Sequence, residues 1–204
     1  MRVLAPEELK ETFGTQKALA LDGAMIGACA TTHIYCRPLC PAGAHVNWGN
    51  VRTFPSPAAA EDVGFRPCLT CCPESAPTPS VELGYSPEAV AFAAAVEAGI
   101  AEPSDEALVT AAFKAAGLSV AQSEAMVNEQ FGTTAAGFVR TARRLAAKRM
   151  MRESVTSVED VAATCGYVSG QALVDDFATA YKLDARKLDG QRPRKPRVSK
   201  LEQK

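Results

Sequence analysis

Cys36-Arg37-Pro38-Leu39-Cys40 and Cys68-Leu69-Thr70-Cys71 set a C-x3-C against a C-x2-C. Two short knuckles of this kind converge on one tetrahedral metal, and thiolate sulfur at about 2.3 Å is the donor that zinc prefers. Cys36, Cys40, Cys68 and Cys71 are therefore the candidate zinc ligands. Pro38, Pro41 and Pro67 stiffen the knuckles and reduce the entropy lost when the ligands gather. Cys72 is an off-by-one substitute for Cys71, whereas Cys29 and Cys165 read as small buried apolar residues. With four cysteines available, His33 and His45 read as surface or hydrogen-bonding residues. Spacing alone gives such a site a structural role, because most four-cysteine zinc sites only hold a fold together.

Around the knuckles, residues 6–13 read as a short helix with Leu9 and Phe13 one turn apart, and 50–54 alternate like a strand. Ser56-Pro57 then caps a helix that stops at Gly64. These pieces are too small for a deep core, so a metal helps to hold them. Pro77-Thr78-Pro79-Ser80 marks a break. Beyond it helices are expected at 86–98, 104–116, 119–131, 134–152, 157–164 and 169–181, with a last turn at 184–189. Ser119-x-x-Gln122 has the form of a capping box. Helix, glycine turn and helix recur at Ala116-Gly117-Leu118-Ser119 and Cys165-Gly166-Tyr167-Val168-Ser169. That is helix-turn-helix grammar used twice, or an ordinary helical bundle.

The fold class expected from these patterns is a small α+β zinc-binding domain followed by an all-α domain, either a double helix-turn-helix or an ordinary helical bundle. The expected boundaries are 1–76 for the zinc domain, 77–103 for a linker with a helix, 104–190 for the helical domain and 191–204 for a basic tail. Of 204 residues, 47% are hydrophobic and 22% charged, which excludes a disordered chain. The longest apolar run, 89–100, is broken by Glu97 and falls short of the roughly 20 residues of a membrane span. Pro6, Glu7 and Glu8 stand where a secretory signal would be apolar, so a cytoplasmic location is expected, and seven clustered thiols suit a reducing compartment.

Residues 31–42, Asn50-Val51-Arg52 and Gly64-Phe65-Arg66-Pro67-Cys68-Leu69-Thr70-Cys71 together closely resemble the zinc domain of the Ada family of DNA alkylation-repair regulators. More weakly, 104–190 resemble the AraC-type double helix-turn-helix, through Phe131-Gly132-Thr133-Thr134, an Arg-rich linking helix, and 161–169 followed by Phe177 and Tyr181. The resemblance implies that Cys36 takes a methyl group from a methylphosphotriester in damaged DNA while bound to zinc, with Cys40, Cys68 and Cys71 completing the site. It implies a self-methylating, single-turnover repair protein whose methylation alters transcription, with DNA and promoter sequences as partners in the bacterial nucleoid, and it leaves contact with RNA polymerase open. The chain departs from the family pattern at Ala30, Gly43-Ala44-His45, Asn47-Trp48-Gly49-Asn50 and Leu69-Thr70, where cations are usual. Asp175 stands where an Arg is common. No Pro-Cys-His-Arg segment of the guanine-repairing kind is present.

Net charge is −1, yet 1–104 carry −5, 105–190 carry −1 and 191–204 carry +5. Candidate DNA contacts are Arg37, Arg52 and Arg66 in the zinc domain, with Gln122, Asn128 and Gln171 able to read adenine edges. Arg140, Arg143, Arg144, Lys148, Arg149 and Arg152 form a basic stripe on the linking helix. A solvated helix face and a solubilising tail explain the same charges. Two other functions fit: an interaction module whose zinc is structural only, and a thiol redox sensor using Cys71 and Cys72.

Overall fold

Alternating side chains build a four-stranded sheet in the computed structural model, which describes residues 6–13, 16–41, 46–153 and 156–188. The strands β1 (Ile26–Cys29), β2 (Ile34–Cys36), β3 (Val51–Phe54) and β4 (Arg66–Pro67) lie in the order β3-β1-β2-β4. β1 is antiparallel to β2 and β3, with Gly27 opposite both Cys36 and Thr53; β2 runs parallel to β4 with Ile34 opposite Arg66. Residues facing one another across strands share a side of the sheet. One side therefore carries Gly27, Cys29, Ile34, Cys36, Val51 and Arg66, and the other Ile26, Ala28, Tyr35, Arg52 and Phe54.

The second side forms the domain's core, where Ile26, Ala28 and Tyr35 close against Ala60 and Phe65. Ala60 belongs to α2 (Pro57–Glu61), whose N-cap Ser56 accepts from the Ala59 N–H and has Pro57 in its first turn. The short helix α1 (Pro6–Thr12) leads Phe13 onto the first side of the sheet, where a Cβ on Gly27 would lie 2.5 Å from the ring. Only glycine permits that approach.

Six helices follow: α3 (Pro87–Ala98), α4 (Asp105–Ala116), α5 (Val120–Phe131), α6 (Ala135–Glu153), α7 (Val158–Thr164) and α8 (Gly170–Tyr181). Ser86, Ser104, Ser119, Ser157 and Ser169 each cap one, and Ser119 with Gln122 completes the capping box. α3, expected within a linker, packs on α4, and Phe92, Val96, Leu108, Phe113, Val127, Phe131 and Val139 form one core. A second core gathers Met151, Val161, Leu173, Phe177 and Tyr181. α6 has 19 residues, about 28 Å at 1.5 Å per residue, and contributes to both cores. No helix among the described residues is long and apolar enough to cross a membrane. The expected tail at 191–204, Asp189 and His45 lie outside the described residues.

The basic stripe on α6 does not form a solvated face. Lys148, Arg143 and Arg152 are buried and Arg144 is largely so. Lys148 Nζ lies 2.5 Å from both Glu74 oxygens, with the two side chains 0% and 2% exposed. Arg144 bridges Asp176 of α8, at 2.6 and 2.8 Å, to Glu61 of α2 at 3.3 Å. Arg143 donates to the carbonyls of Ile100, Glu102 and Cys165 and to Asp105, tying the two helical units together. Arg149 is partly exposed, 3.8 Å from Glu97, and Arg140 is exposed. Charges at helical spacing appear in a sequence whether they face water or a neighbouring domain. Here the neighbour's buried carboxylates take three of the six, Arg144, Lys148 and Arg152.

Candidate metal centre

The parallel pairing of β2 with β4 brings the two knuckles to the same end of the sheet. The Cys68 N–H donates to the Tyr35 carbonyl at 2.9 Å, setting the second knuckle beside Cys36, and the Cys40 N–H closes the first knuckle onto the Arg37 carbonyl at 3.0 Å. The four sulfurs of Cys36, Cys40, Cys68 and Cys71 all lie within 4.8 Å of one another. A zinc tetrahedron with bonds of about 2.3 Å has sulfur–sulfur edges of about 3.8 Å, and an all-thiolate donor set suits that metal.

The four thiols are hydrogen-bonded to one another. Hydrogen bonds to Cys40, Cys68 and Cys71 hold the Cys36 thiol well above its ordinary value, while those accepted from Cys36 and Cys40 pull Cys68 down. A dication replaces these protons, so loading releases them. Backbone donors reach two of the ligands: the Arg37 N–H to Cys71 Sγ at 3.4 Å and the Thr70 N–H to Cys68 Sγ at 3.3 Å. Among the described residues no backbone N–H reaches Cys36 Sγ. Cys40 and Cys68 are buried, whereas Cys36 is half-buried on a cavity of about 340 Å³ over the first side of the sheet.

The remaining cysteines lie apart from the cluster. Cys72 is buried, with its thiol directed at the Leu69 and Thr70 carbonyls, and desolvation raises it. Its left-handed backbone, φ 51°, begins the turn that carries Glu74 beneath α6. Cys165 belongs to the second helical core, where burial pushes its thiol up to about 11. Cys29 lines the Cys36 cavity; burial opposes its ionisation, but hydrogen bonds from Thr31 and Thr32 outweigh it and lower the thiol. His33 stacks on Phe65.

Residues 14–74 match the family described as the metal binding domain of Ada, and 113–189 match a family described as a helix-turn-helix domain. An Ada-family zinc domain precedes a helix-turn-helix domain in this chain. Over 61 residues the chain is 43% identical to a Mycobacterium tuberculosis protein named a probable bifunctional transcriptional activator/DNA repair enzyme AlkA, covering 30% of this chain and 12% of that one. Over 55 residues it is 42% identical to the regulatory protein ada of Salmonella typhimurium and 44% identical to the bifunctional transcriptional activator/DNA repair enzyme Ada of Escherichia coli. Each of these matches covers 27% of this chain and 15% of the relative. The likeness is thus to a small part of longer proteins, and it falls on the zinc domain.

The Ada-type centre gathers the four expected ligands, while the candidate DNA contacts are scattered. Arg37 is held by Asp22 through a two-point ion pair, Nε to Oδ1 at 2.9 Å and the second nitrogen closer still. Arg66 edges the Cys36 cavity, and Arg52 is exposed on the other side of the sheet. The Gln122 side-chain oxygen accepts from Ser119 in the cap, and the Gln171 amide donates to Asp175 at 2.7 Å. Asn128 and Arg140 are exposed. Sequence patterns did not single out Glu61 or Glu74. Glu61 receives the Tyr35, Tyr181 and Thr141 hydroxyls at 2.8, 2.6 and 2.9 Å, and Glu74 receives Lys148. The one available signal was the excess of α6 cations, which needed buried acids as partners.

Proposed function

We propose that Cys36 accepts a methyl group from DNA methylphosphotriesters and that the helix-turn-helix half binds DNA in a methylation-dependent way, acting on bacterial DNA in the cytoplasm. The observation that carries this reading is the placement of one ligand. Of the four clustered thiols, Cys36 and Cys40 line the cavity with no backbone N–H donor among the described residues, and of these two Cys36 is half-buried whereas Cys40 is buried. Donated hydrogen bonds draw electron density from a thiolate, so these two are the stronger nucleophiles, and Cys36 is the one a substrate can reach.

Zinc, when bound, keeps the four sulfurs deprotonated at neutral pH. Cys36 Sγ attacks the ester methyl carbon in line, the carbon–oxygen bond breaks, and the phosphodiester anion leaves with the electron pair. The thioether has no ready leaving route, so the protein is consumed. A triester is locally uncharged, which suits entry into an apolar cavity better than a diester does. The site's formal charge moves from about −2 to about −1, which weakens repulsion of DNA phosphates. Of the candidate contacts among the described residues, Arg52, Asn128 and Arg140 are exposed and Arg66 lies at the edge of the cavity, where they can meet DNA.

Zinc-loaded protein incubated with methylated DNA is expected to gain one methyl, about 14 Da, and Cys36→Ala to gain none. No gain, under conditions where a known acceptor reacts, overturns the reading. The engaged amides of Gln122 and Gln171 favour a second reading, an interaction module with structural zinc. Absence of DNA binding in low salt, before and after methylation, would select it.

A further inference from the structure

The wall of the cavity beside Cys36 is aromatic. Gly27 faces Cys36 across the strands, and the Phe13 ring fills the space that a side chain at Gly27 would take. Phe13 meets Trp48 edge to face, ring centroids 5.9 Å apart at 62°, and Ile34, Val46 and Val51 continue the apolar lining. Trp48 is set in a 3-10 turn whose preceding residue, Asn47, accepts the Gly49 N–H at 3.1 Å. The arginine next to the nucleophile is occupied by Asp22, and Arg52 lies on the far side of the sheet. Among the described residues Arg66 is the cation left at the rim, its Nη1 3.5 Å from the Pro67 carbonyl.

A cavity of about 150 Å³ already admits benzene, and this one is about 340 Å³. It is larger than a methyl ester requires. We infer that Cys36 is also alkylated directly by uncharged small electrophiles whose transferred group is apolar and larger than methyl, such as arylmethyl halides and sulfonate esters. The inference rests on Cys36 being the alkyl acceptor and adds a substrate class to it. The Cys36 sulfur lone pair forms the new sulfur–carbon bond, and the carbon–halogen or carbon–oxygen bond breaks. The halide or sulfonate anion takes the bonding pair with it. No proton moves, because the sulfur enters as thiolate, and no oxidant or reductant is needed. Burying the apolar group against Phe13 and Trp48 lowers the free energy of the transition state.

The test compares benzyl chloride with the anion 2-bromoethanesulfonate on the zinc-loaded full chain, each rate normalised to that of free N-acetylcysteine. Peptide mass mapping locates the adduct. Benzyl transfer to Cys36 is expected to be favoured about tenfold or more, and Trp48→Arg to bring the ratio close to one with zinc content unchanged. Phe13→Leu, which keeps apolar volume, is expected to reduce the ratio only in part. Independently of reaction, unreactive benzyl alcohol should quench emission from Trp48, the chain's single tryptophan. A normalised ratio near one in the native chain, or one that Trp48→Arg does not change, overturns the inference. If methyl transfer from DNA occurs while benzyl transfer shows no preference, the inference falls and the acceptor reading stands; if Cys36 takes neither group, both fall.

Discussion

Glu61 is a meeting point of the two domains outside the metal centre. It is buried, yet three hydroxyls and the Arg144 guanidinium converge on it from α6, α8 and β2. Glu61→Ala leaves those donors without their acceptor, and the expected loss is about 3 kcal/mol or more, read from the urea midpoint. Desolvation raises the Glu61 carboxyl above its ordinary 4.5, although Tyr181, Tyr35 and Arg144 oppose the shift. A raised acid binds its proton more tightly in the folded state. Its contribution is therefore complete below 4.5 and declines as pH rises through the folded value. Unfolding titrations of the native chain and Glu61→Gln across this range should show the native chain losing stability relative to the variant as pH increases. At this scale the ligands were legible, because cysteine spacing constrains geometry directly. The role of Glu61 was not, because its four partners are far apart in sequence and nothing local marks an acid as buried.

Helices and their caps follow from short-range chemistry, and the serine caps before α3, α4, α5, α7 and α8 are visible in the sequence for that reason. Strands β1 and β2 are three or four residues long and carry their alternation over too few positions to stand out. The direction in which α6 presents its cations is a tertiary property. Periodicity shows that Arg144, Lys148 and Arg152 share a face, and only the position of α2 and the second knuckle shows that the face is covered. Lys148→Met leaves the buried Glu74 carboxylate with only the longer Arg152 pair, 3.5 Å, among the described residues, for an expected cost of about 3 kcal/mol. Adding Glu74→Met to the same chain removes the weakly paired carboxylate, leaves Arg152 on the Leu69 carbonyl, and should recover part of that loss. A double-mutant cycle by thermal unfolding that gives simple additivity would mean that the two groups are not coupled in solution.

The two domains meet at the backbone of the metal centre as well as at α2. Lys148 Nζ donates to the Cys68 carbonyl at 3.4 Å and Arg152 to the Leu69 carbonyl at 3.0 Å, so the second knuckle presents its peptide groups to α6 while its sulfurs face the metal position. Cys68 and Cys71 fix the path of that knuckle only while both are ligands. With the metal removed, four thiols regain their protons and the loop between them loses its tether, so the carbonyls leave the cations they satisfy. Lys148 and Arg152 keep Glu74 but lose these carbonyls, and the cost falls on the C-terminal half of α6. Hydrogen exchange before and after chelation measures this. Amide protection over 144–152 is expected to fall about tenfold or more, while α3 and α4, whose core is separate, keep theirs. Equal protection in α6 with and without zinc would show that the interface stands without the metal. A fall confined to α6 and the second helical unit would show that metal occupancy reaches the helix-turn-helix half through Lys148 and Arg152.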